Sequence, residues 1–214
     1  MFFRRKRYNG VVMEHSSDIT WSVILRLLTG GSVVIPAGPV WIPRPELCPS
    51  FEAVLGQLPG RTISMWEPFR PTARTLAERG FTVDAEKVPG PFAAAIVVPT
   101  RQRVETLATL AHAWLNLASD GVLIFACAND QGARGYLGYL KEVMPGLEAE
   151  SGRKCRYVVL RPADIGDREV LQSWKDGALA RNLPELGLTS IPGIYGWNKI
   201  DRGSELLMET LPPL

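Results

Sequence analysis

The sequence is poor in the residues that build metal centres and cross-links. It holds two histidines, His15 and His112, and three cysteines, Cys48, Cys127 and Cys155, with no pair at metal-ligand spacing. Zinc sites need clustered ligands, and disulfide frameworks need paired cysteines in a secreted chain. No metal is therefore expected, and the thiols read as reduced groups of a cytoplasmic protein. No apolar run approaches the ~20 residues of a membrane-crossing helix, so no membrane partner is expected. Arg4-Arg5-Lys6-Arg7 is not followed by the apolar stretch of a signal peptide. Net charge is only +2, so any surface that binds nucleic acid must be a local patch. A Gly-x-Ser-x-Gly elbow, a Walker-type phosphate loop and paired histidines are missing too, which removes the common hydrolytic and phosphoryl-transfer chemistries.

What remains is a 214-residue chain with 46% hydrophobic and 21% charged residues, ordinary for a globular α/β domain. Asp18 starts a helix whose apolar positions 21, 24, 25 and 28 share one face, and Gly30-Gly31 stops it. Residues 32–36 read as the first buried strand, followed by a loop with five prolines between Pro36 and Pro49. Helices are expected around 51–55 and over 71–79, with strands at 61–67 and 81–83. The continuous apolar runs 92–98 and 122–127 read as strands buried on both faces, with the clearest helix, 103–118, between them. A helix over 132–143, a last strand at 154–160 and a short helix around 169–174 complete the alternation. Such an order gives a mostly parallel sheet with helices on both faces.

Sheets of this order that bind dinucleotides or S-adenosylmethionine use a glycine-rich turn after the first strand, where backbone approaches the ligand. Here residues 32–36 run into Ala37-Gly38-Pro39-Val40-Trp41, in which one glycine sits between prolines and Trp41 would crowd a ligand. Glu67 stands where an acid would hold a ribose hydroxyl. The strand at 92–98 ends in Val98-Pro99-Thr100-Arg101, not in the Asn-Pro-Pro type motif of an amine methyltransferase. No catalytic residue is therefore assigned to this chain.

The tail carries a more specific pattern: Pro192-Gly193-Ile194-Tyr195-Gly196-Trp197-Asn198-Lys199-Ile200-Asp201-Arg202-Gly203-Ser204-Glu205-Leu206-Leu207. It resembles the segment preceding the catalytic strand in the "methyltransferase small" family. Asp201, Gly203, Ser204, Leu206 and Leu207 match, while Tyr195 replaces the usual Phe and Ile200 the usual Leu or Val. Upstream, residues 15–165, with Ala128-Asn129-Asp130-Gln131-Gly132-Ala133 and Lys154, resemble the N-terminal half of the small-subunit ribosomal RNA guanine-N2 methyltransferases.

The resemblance implies a degenerate, Rossmann-like class I methyltransferase domain that has lost cofactor binding and supports a catalytic half lying beyond Leu214. It implies S-adenosylmethionine as cofactor of the intact enzyme but none for this chain alone, with Tyr195, Asp201, Gly203 and Ser204 forming half a cofactor site. Read physically, Asp201 caps a helix that presents Leu206, Leu207 and Leu211. Small-subunit ribosomal RNA and the catalytic domain are the implied partners. Arg153, Lys154, Arg156, Arg101 and Arg103 are the principal phosphate-binding candidates, with Arg70, Arg74 and the cluster at 4–7 behind them. Trp41 or Trp66 would stack on a base if exposed. The alternative for these residues is a solvated basic face and core tryptophans.

The expected organisation is a basic extension (1–12), the methyltransferase-like domain (13–165), a linker (166–190) and the lead-in to the catalytic domain (191–214). Two other functions fit the same residues: a free-standing interaction protein, and an active small methyltransferase with a divergent cofactor loop.

Overall fold

The computed structural model describes residues 7–8, 11–12, 16–192 and 196–211. Helix α1 (Ser16–Thr29) precedes the sheet, and β1 (Val40–Pro43), β2 (Ile63–Trp66) and β3 (Thr82–Asp84) alternate with α2 (Pro49–Gly56) and α3 (Arg70–Glu78). Then follow β4 (Phe92–Val97), α4 (Arg103–Leu115), β5 (Leu117–Ala128), α5 (Ala133–Val143), β6 (Glu150–Gly152), β7 (Cys155–Leu160) and α6 (Arg168–Gly177). The seven strands lie in the order β3-β2-β1-β4-β5-β7-β6. All pairings are parallel except those of β7, which runs antiparallel to both neighbours.

Two apolar layers hold the sheet. Helices α1, α2 and α3 cover one face, where Trp21, Ile24, Phe51 and Leu76 pack on Val40, Ile42, Met65, Ala94 and Ile96. On the other face Leu110, Trp114, Leu140, Leu171 and Trp174 of α4, α5 and α6 pack on Trp41, Ala95, Val97, Leu123 and Phe125. Alternation along β1 divides Val40 and Ile42 from Trp41, which stacks on Phe92 with ring centroids 5.3 Å apart. Each fully buried large apolar side chain contributes roughly 1.5–3 kcal/mol, so β4 and β5 anchor the fold.

Two expectations need correction. Residues 32–36 are not a strand: Arg61 donates to the Ile35 and Pro36 carbonyls, and β1 begins at Val40, inside the proline-rich stretch. Prolines beside a strand are tolerated where their missing N–H faces no ladder partner, and that concealed β1. Asp18 does not cap its own helix. It lies in the first turn of α1 and accepts the Ser50 amide at 3.0 Å, tying α1 to the start of α2. Trp41 and Trp66 are both in the core, the alternative weighed for them above, so neither is placed to stack on a base. The short strand β6 was not foreseen, because its pairing comes from a hairpin and not from an apolar run.

Beyond α6 the chain forms a hairpin of β8 (Arg181–Leu183) with β9 (Leu188–Ser190), then α7 (Arg202–Thr210). No residue of α7 is buried. Among the described residues no helix is long and apolar enough to cross a membrane, and no group of acidic, cysteine and histidine side chains is arranged to hold a metal.

At Gly121, where β5 passes β4, a Cβ would lie 2.7 Å from the Phe92 carbonyl oxygen and 2.9 Å from that of Ala118. Both neighbours are backbone and cannot swing away. Gly121→Ala should cost about 1–3 kcal/mol of stability, as overpacking does elsewhere, read as a lower urea midpoint at unchanged slope.

Candidate functional site

In a doubly wound sheet, ligands bind at the carboxyl ends of the strands where the strand order reverses. Here that point lies between β1 and β4. The segment after β1 is Arg44-Pro45-Glu46-Leu47-Cys48, which contains no glycine. The sequence was therefore right that a glycine-rich turn is missing, but it looked at the wrong loop.

Arg44 follows β1 directly and has φ 51, a left-handed conformation that costs a residue with a Cβ roughly 1–2 kcal/mol. Its backbone amide donates to the Trp66 carbonyl at 2.7 Å. Its guanidinium pairs with Glu67, at the end of β2, and with Glu105 on α4 at 3.0 Å. Glu105 also accepts from the Thr100 hydroxyl at 3.2 Å, which brings in the loop after β4. One side chain thus joins the carboxyl ends of β1, β2 and β4 across the switch point.

Glu67 is only 5% exposed, and its Oε1 accepts both from Arg44 and from the Phe69 amide, the latter at 2.8 Å. Burial raises its pKa, outweighing the Phe69 amide and the Arg44 charge, which both lower it. The neighbouring Lys87, over the Trp66 ring at 4.6 Å, is pushed down to about 8, chiefly by burial. Burial also lowers His112, whose Nε2 lies 2.8 Å from the Val88 carbonyl oxygen. These residues do not fit an adenosyl ligand: the acid placed for a ribose hydroxyl already holds a guanidinium, and the loop that should be glycine-rich carries the arginine.

The five principal RNA candidates lie along the same carboxyl edge of the sheet, and all are exposed. Arg101 and Arg103 follow β4, and the Arg103 guanidinium lies over the Tyr139 ring at 5.4 Å. Arg153 and Lys154 form the two-residue turn of the β6–β7 hairpin, with φ of 49 and 60. Such turns normally take Asn-Gly, because both residues must be left-handed. Here two cations hold that conformation, with the Lys154 carbonyl accepting from Asn129 at 2.8 Å. Arg156 stands on β7 opposite Cys127. Strand spacing puts the hairpin roughly 10 Å from the end of β4.

The expected half-site in the tail is elsewhere. Asp201 caps α7, accepting from the Gly203 amide at 3.0 Å, the Ser204 amide at 3.3 Å and the Ser204 hydroxyl at 2.8 Å. The Ser204 bonds hold its pKa below the usual carboxylate value. Gly203 and Ser204 are exposed, and Asp201 and Ser204 line a groove of about 380 Å³ with Leu188, Trp197 and Met208. Tyr195, Ile194, His15 and the side chains of the basic cluster at 4–7 lie outside the described residues. Sequence reasoning missed Arg44, Glu105 and Phe69. Only the apolar Val40-Trp41-Ile42 ahead of Arg44 pointed to a strand end there.

No family model matches the chain, and no curated protein matches it in sequence. Among solved structures it resembles the T. Thermophilus 16S rRNA N2 G1207 methyltransferase (RsmC) in complex with AdoMet and guanosine, with a TM-score of 0.59 at 20% identity over 87% of this chain and 51% of that one. The fold is that of the Rossmann-like class I methyltransferases. Weaker likenesses are to the mitomycin 7-O-methyltransferase MmcR (TM-score 0.47, 13% identity, 65% of this chain and 53% of that one) and to an O-methyltransferase family protein from Burkholderia thailandensis (0.44, 12%, 68% and 57%). The chain spans about half the length of these structures.

Arg44→Ala removes the only cation paired with Glu67 and Glu105 among the described residues. Stranding the buried Glu67 and the half-buried Glu105 should cost about 3 kcal/mol, the low end for a buried pair because Arg44 and Glu105 keep some solvent contact. Thermal unfolding checks this, with an expected drop of roughly 6–12 °C for a domain of this size.

The Glu67 shift makes a separate prediction. A carboxyl whose folded pKa is raised binds its proton more readily in the folded state than in the unfolded one. Its contribution to stability therefore grows as pH falls from neutral through the folded pKa towards the ordinary glutamate value. Glu67→Gln, which cannot titrate, should flatten the dependence of unfolding free energy on pH in that window. Urea melts at a series of pH values would reveal an unaltered slope if this assignment is wrong.

Proposed function

We propose that this chain is the non-catalytic, RNA-positioning domain of an S-adenosylmethionine-dependent ribosomal RNA guanine-N2 methyltransferase. The observation that carries the reading is the Arg44 guanidinium paired with Glu67 and Glu105 at the switch point, where a class I methyltransferase fold would take its cofactor. A domain that fills this crevice with its own side chain has no place for a methyl donor, so methylation belongs to a second domain. The tail supports such a partner: Leu206, Leu207, Met208 and Leu211 of α7 and its end are all more than half exposed. An apolar helix face of that kind is a docking surface for another domain. In this reading the 380 Å³ groove beside Asp201 and Ser204 is completed by the catalytic half.

RNA is the ligand of the basic edge. Arg101, Arg153, Lys154 and Arg156 have no ion-pair partner among the described residues. Holding Arg153 and Lys154 in a left-handed turn costs free energy that contact with phosphates offsets.

Two titrations test the proposal. Calorimetry of the chain with S-adenosylmethionine should show no binding, and a dissociation constant in the low micromolar range would overturn the non-catalytic reading. A fluorescent fragment of small-subunit ribosomal RNA should bind at ~50 mM salt and be released steeply towards ~200 mM. Reversing the charges of Arg153, Lys154 and Arg156 together should weaken that binding at least about tenfold. Equal retention by the charge-reversed variant would remove this hairpin from the interface.

A further inference from the structure

Phe69 is a large aromatic side chain left 59% exposed in the loop between β2 and α3, at the same carboxyl edge of the sheet. Its backbone is fixed from both sides. The amide donates to Glu67 Oε1 at 2.8 Å, and the carbonyl accepts the Ala73 amide at 3.0 Å in the first turn of α3. Glu67 is buried and held by Arg44, so the ring is presented by a rigid support.

The surroundings of the ring are cationic. Arg70 and Arg74 follow it on α3, both exposed and neither in an ion pair among the described residues. They stand four residues apart on one helix, where like charges repel by a few tenths of a kcal/mol unless an anion lies between them. The first turn of α3 holds no acidic residue to relieve them. Across the switch point Arg101 and Arg103 are exposed as well. Glu67 and Glu105 are paired with Arg44; the other acids about this edge, Glu46, Asp84 and Glu86, and Glu78 four residues after Arg74, form no ion pair with Arg70 or Arg74.

We infer that Phe69 is a stacking platform for an unpaired nucleobase of RNA, with Arg70 and Arg74 taking the flanking phosphates. This rests on the RNA-positioning reading and deepens it by naming the form of RNA bound. A flat ring amid guanidinium groups matches the chemistry of a single strand, whose splayed bases offer a π-face between phosphates. A duplex keeps its bases stacked inward and would meet only the arginines. Trp41 and Trp66, which would take this role only if exposed, are in the core, and Phe69 supplies an exposed aromatic ring at the edge.

The test compares binding of the full chain to a fluorescein-labelled 20-nucleotide single-stranded RNA and to the perfect duplex of the same sequence, by anisotropy at low salt. Phe69→Ala should weaken single-strand binding about tenfold, the loss of one stacked base, while duplex binding stays within twofold. Phe69→Trp should restore the single-strand affinity. Because the ring is exposed, both variants should unfold at the wild-type temperature, which circular dichroism checks. If Phe69→Ala binds the single strand as wild type does, while Arg70→Glu with Arg74→Glu loses it, the stacking assignment falls and the RNA reading stands. If wild type binds neither RNA, both fall.

Discussion

The geometry of the sheet's carboxyl edge depends on one ion-pair arrangement, in which the Arg44 guanidinium lies between Glu67 and Glu105. In a parallel sheet the loops at this edge must diverge to opposite faces at the switch point, which opens a crevice between them. Here an arginine from the first loop bridges it, at the cost of a left-handed backbone at residue 44. Buried charges are tolerated only when paired and hydrogen-bonded, and each group of this set meets that condition: Glu67 through Arg44 and the Phe69 amide, Glu105 through Arg44 and Thr100.

The consequence runs outward from the crevice. Glu67 and Glu105 are both directed to Arg44, and no ion pair among the described residues engages the exposed arginines of α3 or of the β4–α4 loop, so these guanidinium groups stay free at the rim. The β6–β7 turn adds Arg153 and Lys154 to that rim from the far side of β5. The Arg44 bridge and the basic edge are then two results of one rearrangement: carboxylates turned inward, guanidinium groups left outside.

Most of the fold was legible in the sequence, because it rests on apolar runs and helical stripes. The runs at 92–98 and 122–127 became β4 and β5, and the stripe from Val104 became α4. β1 was not legible. Its four residues end in Pro43 and sit in a stretch where prolines outweigh the pattern, and the more strand-like Val33-Val34-Ile35 next to it is held by Arg61 instead. That error moved the expected ligand loop by several residues and hid Arg44. The exposed basic residues were legible as residue types, but their common edge follows from strand order, which periodicity does not encode. Phe69 was invisible for a related reason: a single aromatic between Pro68 and Arg70 reads as loop until the buried carboxylate beneath it is seen.

A fold can lose a ligand by decay, leaving a collapsed or open pocket, or by substitution, in which a side chain takes the ligand's structural part. In the function proposed above, the carboxyl edge is of the second kind, and the difference matters for what the edge can do next. A decayed pocket would leave the loops after β1, β2 and β4 without common support. The substituted one keeps them joined through Arg44, Glu67 and Glu105 without waiting for any small molecule. Loops held in that way can present Phe69, Arg70 and Arg101 in fixed relation to a large partner. Preorganisation of this sort lowers the entropy lost on association. A Rossmann-like sheet whose carboxyl edge is braced by its own side chains is therefore physically suited to serve as a binding surface there.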